Sequence, residues 1–153
     1  MSSIFLESAK GIVAMKTRPS RRESREAAFE LLFEWSFHEN PTPELVERAV
    51  AARDFSPDEF ALKLVDRVTA NKERIDELIE SRSENWKLGR ISRVTLAALR
   101  IAFCELECFE DIPTGATINE AVELVKKYGT DDEAAYLNGI LGSYVRGGES
   151  VDS

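Results

Sequence analysis

The side chains in this sequence best suited to binding chemistry form a short basic cluster. Residues 16–25 hold five basic side chains and Glu23, so the segment has a net charge of +4. Because the whole chain carries −8, the other residues together carry −12. A basic segment on an acidic body is typical of a local contact with an anionic partner. A solvated helix start explains the same residues, which are Lys16, Arg18, Arg21, Arg22 and Arg25.

Groups suited to catalysis or metal binding are sparse. His38 is the only histidine, so a zinc site or a nucleophile–base pair lacks convergent groups. Cys104 and Cys108 lie four residues apart without a second pair, as buried small hydrophobes do. The acidic run at residues 131–133 suits a helix N-terminus. The sequence therefore predicts a protein that is not an enzyme and has no catalytic residue, metal or cofactor.

Three phenylalanines form a second stripe on the first predicted helix. Phe29, Phe33 and Phe37 recur at i, i+4 and i+8, roughly 100–180° from the core stripe at ~100° per residue. The helix is either buried on two sides or presents Phe33 and Phe37 to a partner protein. Composition favours burial. The core stripe consists of Ala28, Leu31, Leu32 and Trp35.

Helical signals recur along the whole chain and predict an all-α fold of about six or seven helices. Ser20 and Glu23 form a capping box that starts the first helix at Arg21. A break is expected near Asn71. The other predicted starts are caps at Thr42 and Ser56, each followed by a proline, and capping boxes at Thr117 and Thr130.

The helix predicted over residues 92–109 is apolar nearly all round, so the other helices must pack around it. Arg100 and Glu105 are its only charged residues between Val94 and Leu106. Arg100 must therefore reach the surface, pair with an acid or serve a ligand.

A single folded domain is predicted over residues 20–146. Residues 1–19, with part of the basic arm, are expected to be disordered, and residues 147–153 to form a flexible acidic tail. Met15 is an alternative natural start to Met1. No apolar run approaches the ~20 residues of a membrane span, and no basic segment opens a secretory signal. We therefore expect a cytoplasmic protein without membrane contact.

Motifs in three parts of the chain follow one another in a recognisable order. The first is Arg21-Arg22-x-x-Arg25-Glu26-Ala27 running into Leu31-Leu32-Phe33-x-Trp35. The second is Trp86-Lys87-Leu88-x-Arg90-Ile91 with Leu99-Arg100-Ile101-Ala102. The third is Ile118-Asn119-Glu120-Ala121-Val122 with Tyr136-Leu137-Asn138-Gly139. Together, over about residues 20–146, they resemble the NusB family of bacterial transcription antitermination factors.

The resemblance implies a NusB-like helical bundle of two packed subdomains. It also implies binding of the boxA element of nascent ribosomal RNA, as a single strand, together with the ribosomal protein NusE. Through that complex the protein would act indirectly on the elongating RNA polymerase and suppress premature termination.

Particular residues match the family's binding positions. Arg21, Arg22 and Arg25 match its arginine-rich RNA-binding segment, which Arg18 extends. The other positions matching RNA contacts are Arg100, Tyr128, Asp132 and Tyr136. The two tyrosines are apt because unpaired bases often stack on aromatic rings. Positions that contact NusE are matched by Phe33, Phe37 and Thr95. This match favours a partner-binding surface over burial as the interpretation of the phenylalanine stripe.

Departures from the family pattern keep other functions open. Glu23 replaces an arginine of some members, Thr95 an acidic residue and Gly142 a common aspartate. A protein-interaction module with little RNA affinity is one alternative, and an RNA-binding domain like those of some ribosomal RNA methyltransferases is another. A homodimer could cover the same apolar stripe as a partner.

Overall fold

The computed structural model describes residues 19–38, 57–83 and 88–147, together with Glu44, Glu47, Arg48 and Ala51. The ranges 19–38, 57–83 and 88–147 contain six α-helices, the four isolated residues are also helical, and none of the described residues is in a strand, which confirms the all-α prediction. The helices are α1 (Arg21–Trp35), α2 (Glu59–Ala70), α3 (Lys72–Arg82), α4 (Arg93–Cys108), α5 (Thr114–Tyr128) and α6 (Asp131–Gly147); a 3₁₀ turn, Leu88–Arg90, precedes α4. Residues 1–18, which include Arg18, and most of the helix predicted after Thr42 lie outside the described residues. Of the tail expected at 147–153, Gly147 is the last residue of α6, and residues 148–153 also lie outside the described residues.

Helix α4 is the centre of the fold, as its apolar sequence predicts. All of its residues from Thr95 to Glu105 are buried, and each of the other five helices packs against it. Helices α1 and α2 pack together on it, and so do α5 and α6. The buried apolar side chains form one continuous cluster. The helix begins where Ser92 Oγ accepts a hydrogen bond from the Thr95 amide at 3.1 Å.

Two of the predicted helix starts are confirmed in atomic detail. At α1, the Ser20 amide donates to Glu23 at 2.8 Å and the Glu23 amide donates to Ser20 Oγ at 3.1 Å. At α6, Thr130 and Glu133 form the same reciprocal pair at 2.9 and 3.1 Å. The break near Asn71 is also present, because α2 ends at Ala70 and α3 begins at Lys72.

Two other predicted starts are wrong. Helix α2 is capped by Asp58, whose side chain accepts from the Ala61 amide at 3.0 Å, and not by Ser56. Helix α5 begins at Thr114, one turn before the predicted start, with Pro113 at its N-cap. Thr117 is inside α5 and donates its hydroxyl to Glu105 at 2.7 Å, so it is not available as a cap.

None of the described helices has the length and apolar character needed to cross a membrane.

Candidate nucleic-acid interface

Side chains of α1 and α5 meet in three successive pairs, which we call the α1–α5 seam. Arg22 pairs with Glu120, Glu26 pairs with Lys127 at 3.0 Å, and Phe29 stacks on Tyr128. The residues of α1 in this seam lie four and three apart, so they share one face of the helix. The seam therefore combines exposed charge with aromatic surface.

The Arg22–Glu120 ion pair is the first of the three pairs in the seam. The Nε of Arg22 donates to Glu120 Oε1 at 2.9 Å and its Nη2 to Oε2 at 3.0 Å, a bidentate contact. The Arg22 side chain is 54% exposed. The carboxylate raises the pKa of Arg22, and the hydrogen bonds from Arg22 lower the pKa of Glu120. Arg22 is thus at the surface, as an RNA contact requires, but already holds an anion.

Arg21 is also exposed and lies over a ring. Its guanidinium carbon is 3.9 Å from the centroid of Phe60, at the start of α2. Such stacking leaves the guanidinium edge open to an anion. The contact between Phe60 and Arg21 was not predicted from the sequence, because only the packing of α1 against α2 brings the two side chains together.

Arg25, predicted to bind RNA, points into the protein. It is 5% exposed and donates through Nε and Nη2 to Glu105 at 2.6 and 2.8 Å. With the Thr117 hydroxyl on the same carboxylate, this network joins α1, α4 and α5. The structure thus gives Arg25 no surface for RNA and gives it a role in positioning α1.

Arg100 follows the second of its three predicted alternatives, pairing with an acid. It is 4% exposed and donates to both oxygens of Asp76 on α3, each at 2.9 Å. Lys72 also reaches Asp76 at 3.1 Å, and Trp35 lies beside the guanidinium. Arg100, like Arg25, is therefore held away from the surface at which RNA would bind.

Tyr128 closes the seam with an aromatic surface. Its ring stacks on Phe29 with centroids 4.6 Å apart and planes inclined by 22°. Its hydroxyl donates to Glu30 at 3.3 Å. Desolvation, together with Glu30, raises the pKa of the phenol. The ring is only partly buried, so it retains surface on which a base could stack.

A cavity of about 290 Å³ lies between the beginnings of α4 and α6. Asp132 is exposed at its rim, Tyr136 is half-buried, and Thr95 is buried at 1% exposure. The Thr95 hydroxyl has no hydrogen-bond partner among the described residues. Burial raises the pKa of Tyr136, and a hydrogen bond with Ser83 partly opposes this shift. The lining residues are Arg90, Ile91, Ser92, Thr95, Asp132, Glu133 and Tyr136.

The phenylalanine stripe continues the aromatic surface of the seam. The ring centroid of Phe33 lies 5.9 Å from that of Phe29 and 5.0 Å from that of Phe37. Phe37 is 57% exposed, and the guanidinium of Arg93 lies 4.4 Å from its ring. An unbroken aromatic row therefore runs from Tyr128 through Phe29 and Phe33 to Phe37.

The structure thus divides the predicted site residues by location. Arg22 and Tyr128 are together in the seam, and Phe33 and Phe37 continue it. Asp132, Tyr136 and Thr95 share the cavity. Arg93, which the sequence did not single out, is in the first turn of α4, and its guanidinium lies over the exposed ring of Phe37. Among the described residues, no three His, Cys, Asp or Glu side chains cluster as metal ligands.

Comparison with known proteins gives consistent matches over this whole region. The model of the NusB family matches residues 22–146. The transcription antitermination protein NusB of Natranaerobius thermophilus is 42% identical over 127 residues, covering 80% of this chain and 91% of that protein. NusB of Myxococcus xanthus is 40% identical over 128 residues, with the same coverage.

Solved structures give the same result. T. maritima NusB superposes with a TM-score of 0.74 at 32% identity, covering 85% of this chain and 93% of that one. A crystal structure of antitermination factors NusB and NusE in complex with dsRNA contains a chain with a TM-score of 0.70 at 31% identity, covering 82% and 96%. The all-helical fold of the described residues, the family match and these relatives agree, and the chain belongs to the NusB family.

Proposed function

We propose that this chain is a transcription antitermination factor. It binds boxA-type single-stranded RNA in nascent ribosomal RNA transcripts, together with NusE, and acts through that complex on elongating RNA polymerase. Its relatives are named for antitermination, and the solved NusB–NusE complex contains dsRNA. For this chain we propose a single strand, because the partly exposed ring of Tyr128 offers a surface on which an unpaired base can stack. Bacterial transcription takes place in the cytoplasm, so the cytoplasm is where the protein would act.

The observation that carries this proposal is the aromatic row. Tyr128, at the RNA-binding end, and Phe37, at the NusE end, are joined through Phe29 and Phe33 by centroid distances of 4.6 to 5.9 Å. Phe29 is buried at 2% exposure, so the row holds its two more exposed ends, Tyr128 and Phe37, in a fixed relation for two partners bound side by side. Stacking on Tyr128 requires an unpaired base, because bases in a duplex are already stacked on one another.

The cavity beside Tyr136 supports a second contact with the same strand. Its volume of about 290 Å³ can hold a base turned out of the strand. Tyr136 offers a ring to such a base, and Asp132 at the rim offers a hydrogen-bond acceptor. The cavity and Tyr128 would therefore contact different nucleotides.

The test is the affinity for a boxA strand, a scrambled strand of the same composition and the boxA duplex. The proposal requires the boxA single strand to bind most tightly, with an affinity that falls as salt rises. Equal, weak binding of all three would contradict it.

A protein-interaction module with little RNA affinity is the second candidate. It is favoured by the internal pairing of the predicted cations, since Arg25, Arg100 and Arg22 each hold a carboxylate. That protein would still bind NusE through the exposed Phe37, and it would bind all three RNAs equally weakly. The three RNA titrations therefore separate the candidates, and a titration with NusE, which both candidates bind, is the control for an intact partner surface.

A further inference from the structure

Glu120 occupies Arg22 in the way that a phosphate would. Both carboxylate oxygens accept from the same edge of the guanidinium, at 2.9 and 3.0 Å. Arginine binds phosphate through the same fork of two parallel N–H donors. A phosphate that approaches this edge of Arg22 therefore meets a carboxylate in its place.

The surroundings of Arg22 add to the negative charge. A cavity of about 90 Å³ in the seam is lined by the exposed cations Arg22 and Lys127 and by three carboxylates. Arg25 also lines it, but its charge is matched by the buried Glu105. Two cations therefore face three anions, which are Glu26, Glu120 and Glu123.

We propose that Glu120 is an internal competitor for RNA phosphate and so sets the RNA affinity of this chain. In the free protein it holds Arg22, and RNA must displace it before a phosphate can use the same edge. The inference rests on the proposed function, specifically on a contact between Arg22 and RNA.

The charges around Arg22 favour a competing role for Glu120 over a positioning role. If Glu120 only oriented Arg22, the arginine would bind phosphate by its free edge with the carboxylate still in place. The phosphate would then lie close to three carboxylates whose charge the two exposed cations only partly neutralise, and like charges repel. Removing the Glu120 charge therefore relieves both the competition and the repulsion.

The experiment is a double-mutant cycle in RNA binding, using the boxA strand and the full-length chain. Glu120→Gln is expected to tighten binding about two- to fivefold, the range of an exposed ion pair. Glu123→Gln removes the same charge one turn further along α5 and controls for general repulsion. Glu107→Gln breaks the similarly exposed Arg74–Glu107 pair, which lies outside the seam, and is expected to leave RNA affinity unchanged.

The Arg22→Ala background identifies the mechanism. There Glu120→Gln is expected to have no larger effect than Glu123→Gln, because the competition requires Arg22. Weaker binding of Glu120→Gln in the wild-type background would overturn the inference and make Glu120 a positioning residue. An equal gain in both backgrounds would also overturn it, by reducing the effect to general charge.

Failure of the proposed function has a different signature. In that case the wild-type chain shows no preference for boxA, and Arg22→Ala changes nothing. The wild type can instead prefer boxA, with Arg22→Ala weakening boxA binding and Glu120→Gln leaving it unchanged. In that case only the competitor inference fails. The shift of the Arg22 Nε resonance on Glu120→Gln reports the pair without RNA, and an unchanged resonance would contradict the contact itself.

Discussion

Arg25 and Glu105 form a bidentate ion pair in the interior, at 2.6 and 2.8 Å, with both side chains almost fully buried. Arg22, three residues earlier, is 54% exposed. One turn of helix thus divides the basic segment into an arginine that holds the fold together and an arginine that faces the solvent. Predictions for stability and for RNA binding therefore fall on different residues.

Replacing Arg25 with alanine is expected to destabilise the protein. The change leaves Glu105 charged, buried and held only by Thr117, which typically costs about 3–5 kcal/mol. Arg22→Ala removes an exposed pair and is expected to cost no more than about 1 kcal/mol. Urea denaturation followed by circular dichroism measures both. Equal losses of unfolding free energy in the two variants would contradict a larger contribution from the buried pair than from the exposed pair.

Arg22→Ala is expected to act on RNA binding instead. Loss of one phosphate contact should weaken boxA and scrambled strands by similar factors and reduce the slope of log affinity against log salt by about 1. Titrations at several salt concentrations give the slope. A slope identical to that of the wild type would remove Arg22 from the RNA contact.

Substitutions of Tyr136 are expected to separate stacking from hydrogen bonding. Tyr136→Ala should weaken boxA binding by about 1–3 kcal/mol, because a stacked base loses its ring. Tyr136→Phe keeps the ring and should retain most of the affinity. Fluorescence anisotropy with labelled RNA makes the comparison, and helicity is checked in parallel. If both variants bind as the wild type does, the cavity is not a base site.

The exposed end of the aromatic row, Phe37, and its buried member Phe29 are expected to respond differently to truncation. Phe37→Ala should weaken NusE association with little change in melting temperature, because Phe37 is 57% exposed. Phe29→Ala should lower the stability by about 3–5 kcal/mol, because Phe29 is 2% exposed. Calorimetric titration with NusE and thermal denaturation measure the two effects. Normal NusE binding by a destabilised Phe37→Ala variant would place Phe37 in the core.

The stability provided by Glu107 is expected to depend on pH. Hydrogen bonds from Tyr144 and Arg74 lower its pKa from the ordinary value of 4.5. A lowered carboxyl pKa gives stability that is present above the ordinary value and is lost as pH falls through the folded-state value. Glu107→Gln should therefore be less stable than the wild type at pH 7, and the difference should narrow below pH 4.5. A difference that stays constant with pH would contradict the lowered pKa.

Much of the fold could be predicted because local signals and packing agree. The capping boxes at Ser20 and Thr130 are complete within four residues, and both form as predicted. The start of α5 could not be predicted, because the Thr117 hydroxyl serves Glu105 across the core. A contact between residues distant in sequence leaves no local signal.

The inward position of Arg25 had a signal in the sequence. Arg25 lies three residues before Ala28 and seven before Leu32, so it extends the core stripe of α1. Arg22 lies instead seven residues before Phe29, on the face that forms the seam. Helical phase therefore separates the two arginines, whereas charge counting groups them. The acids that pair with them, Glu105 and Glu120, lie 80 and 98 residues away and could not be assigned in advance.

In the proposed function, neighbouring parts of one surface bind RNA and NusE side by side. The most direct measurement is the dissociation constant for boxA RNA with and without saturating NusE, with a scrambled strand as the control. We expect boxA-selective binding that NusE tightens, and a loss of that gain in Phe37→Ala. Affinity for boxA that equals affinity for the scrambled strand, and that NusE leaves unchanged, would contradict it.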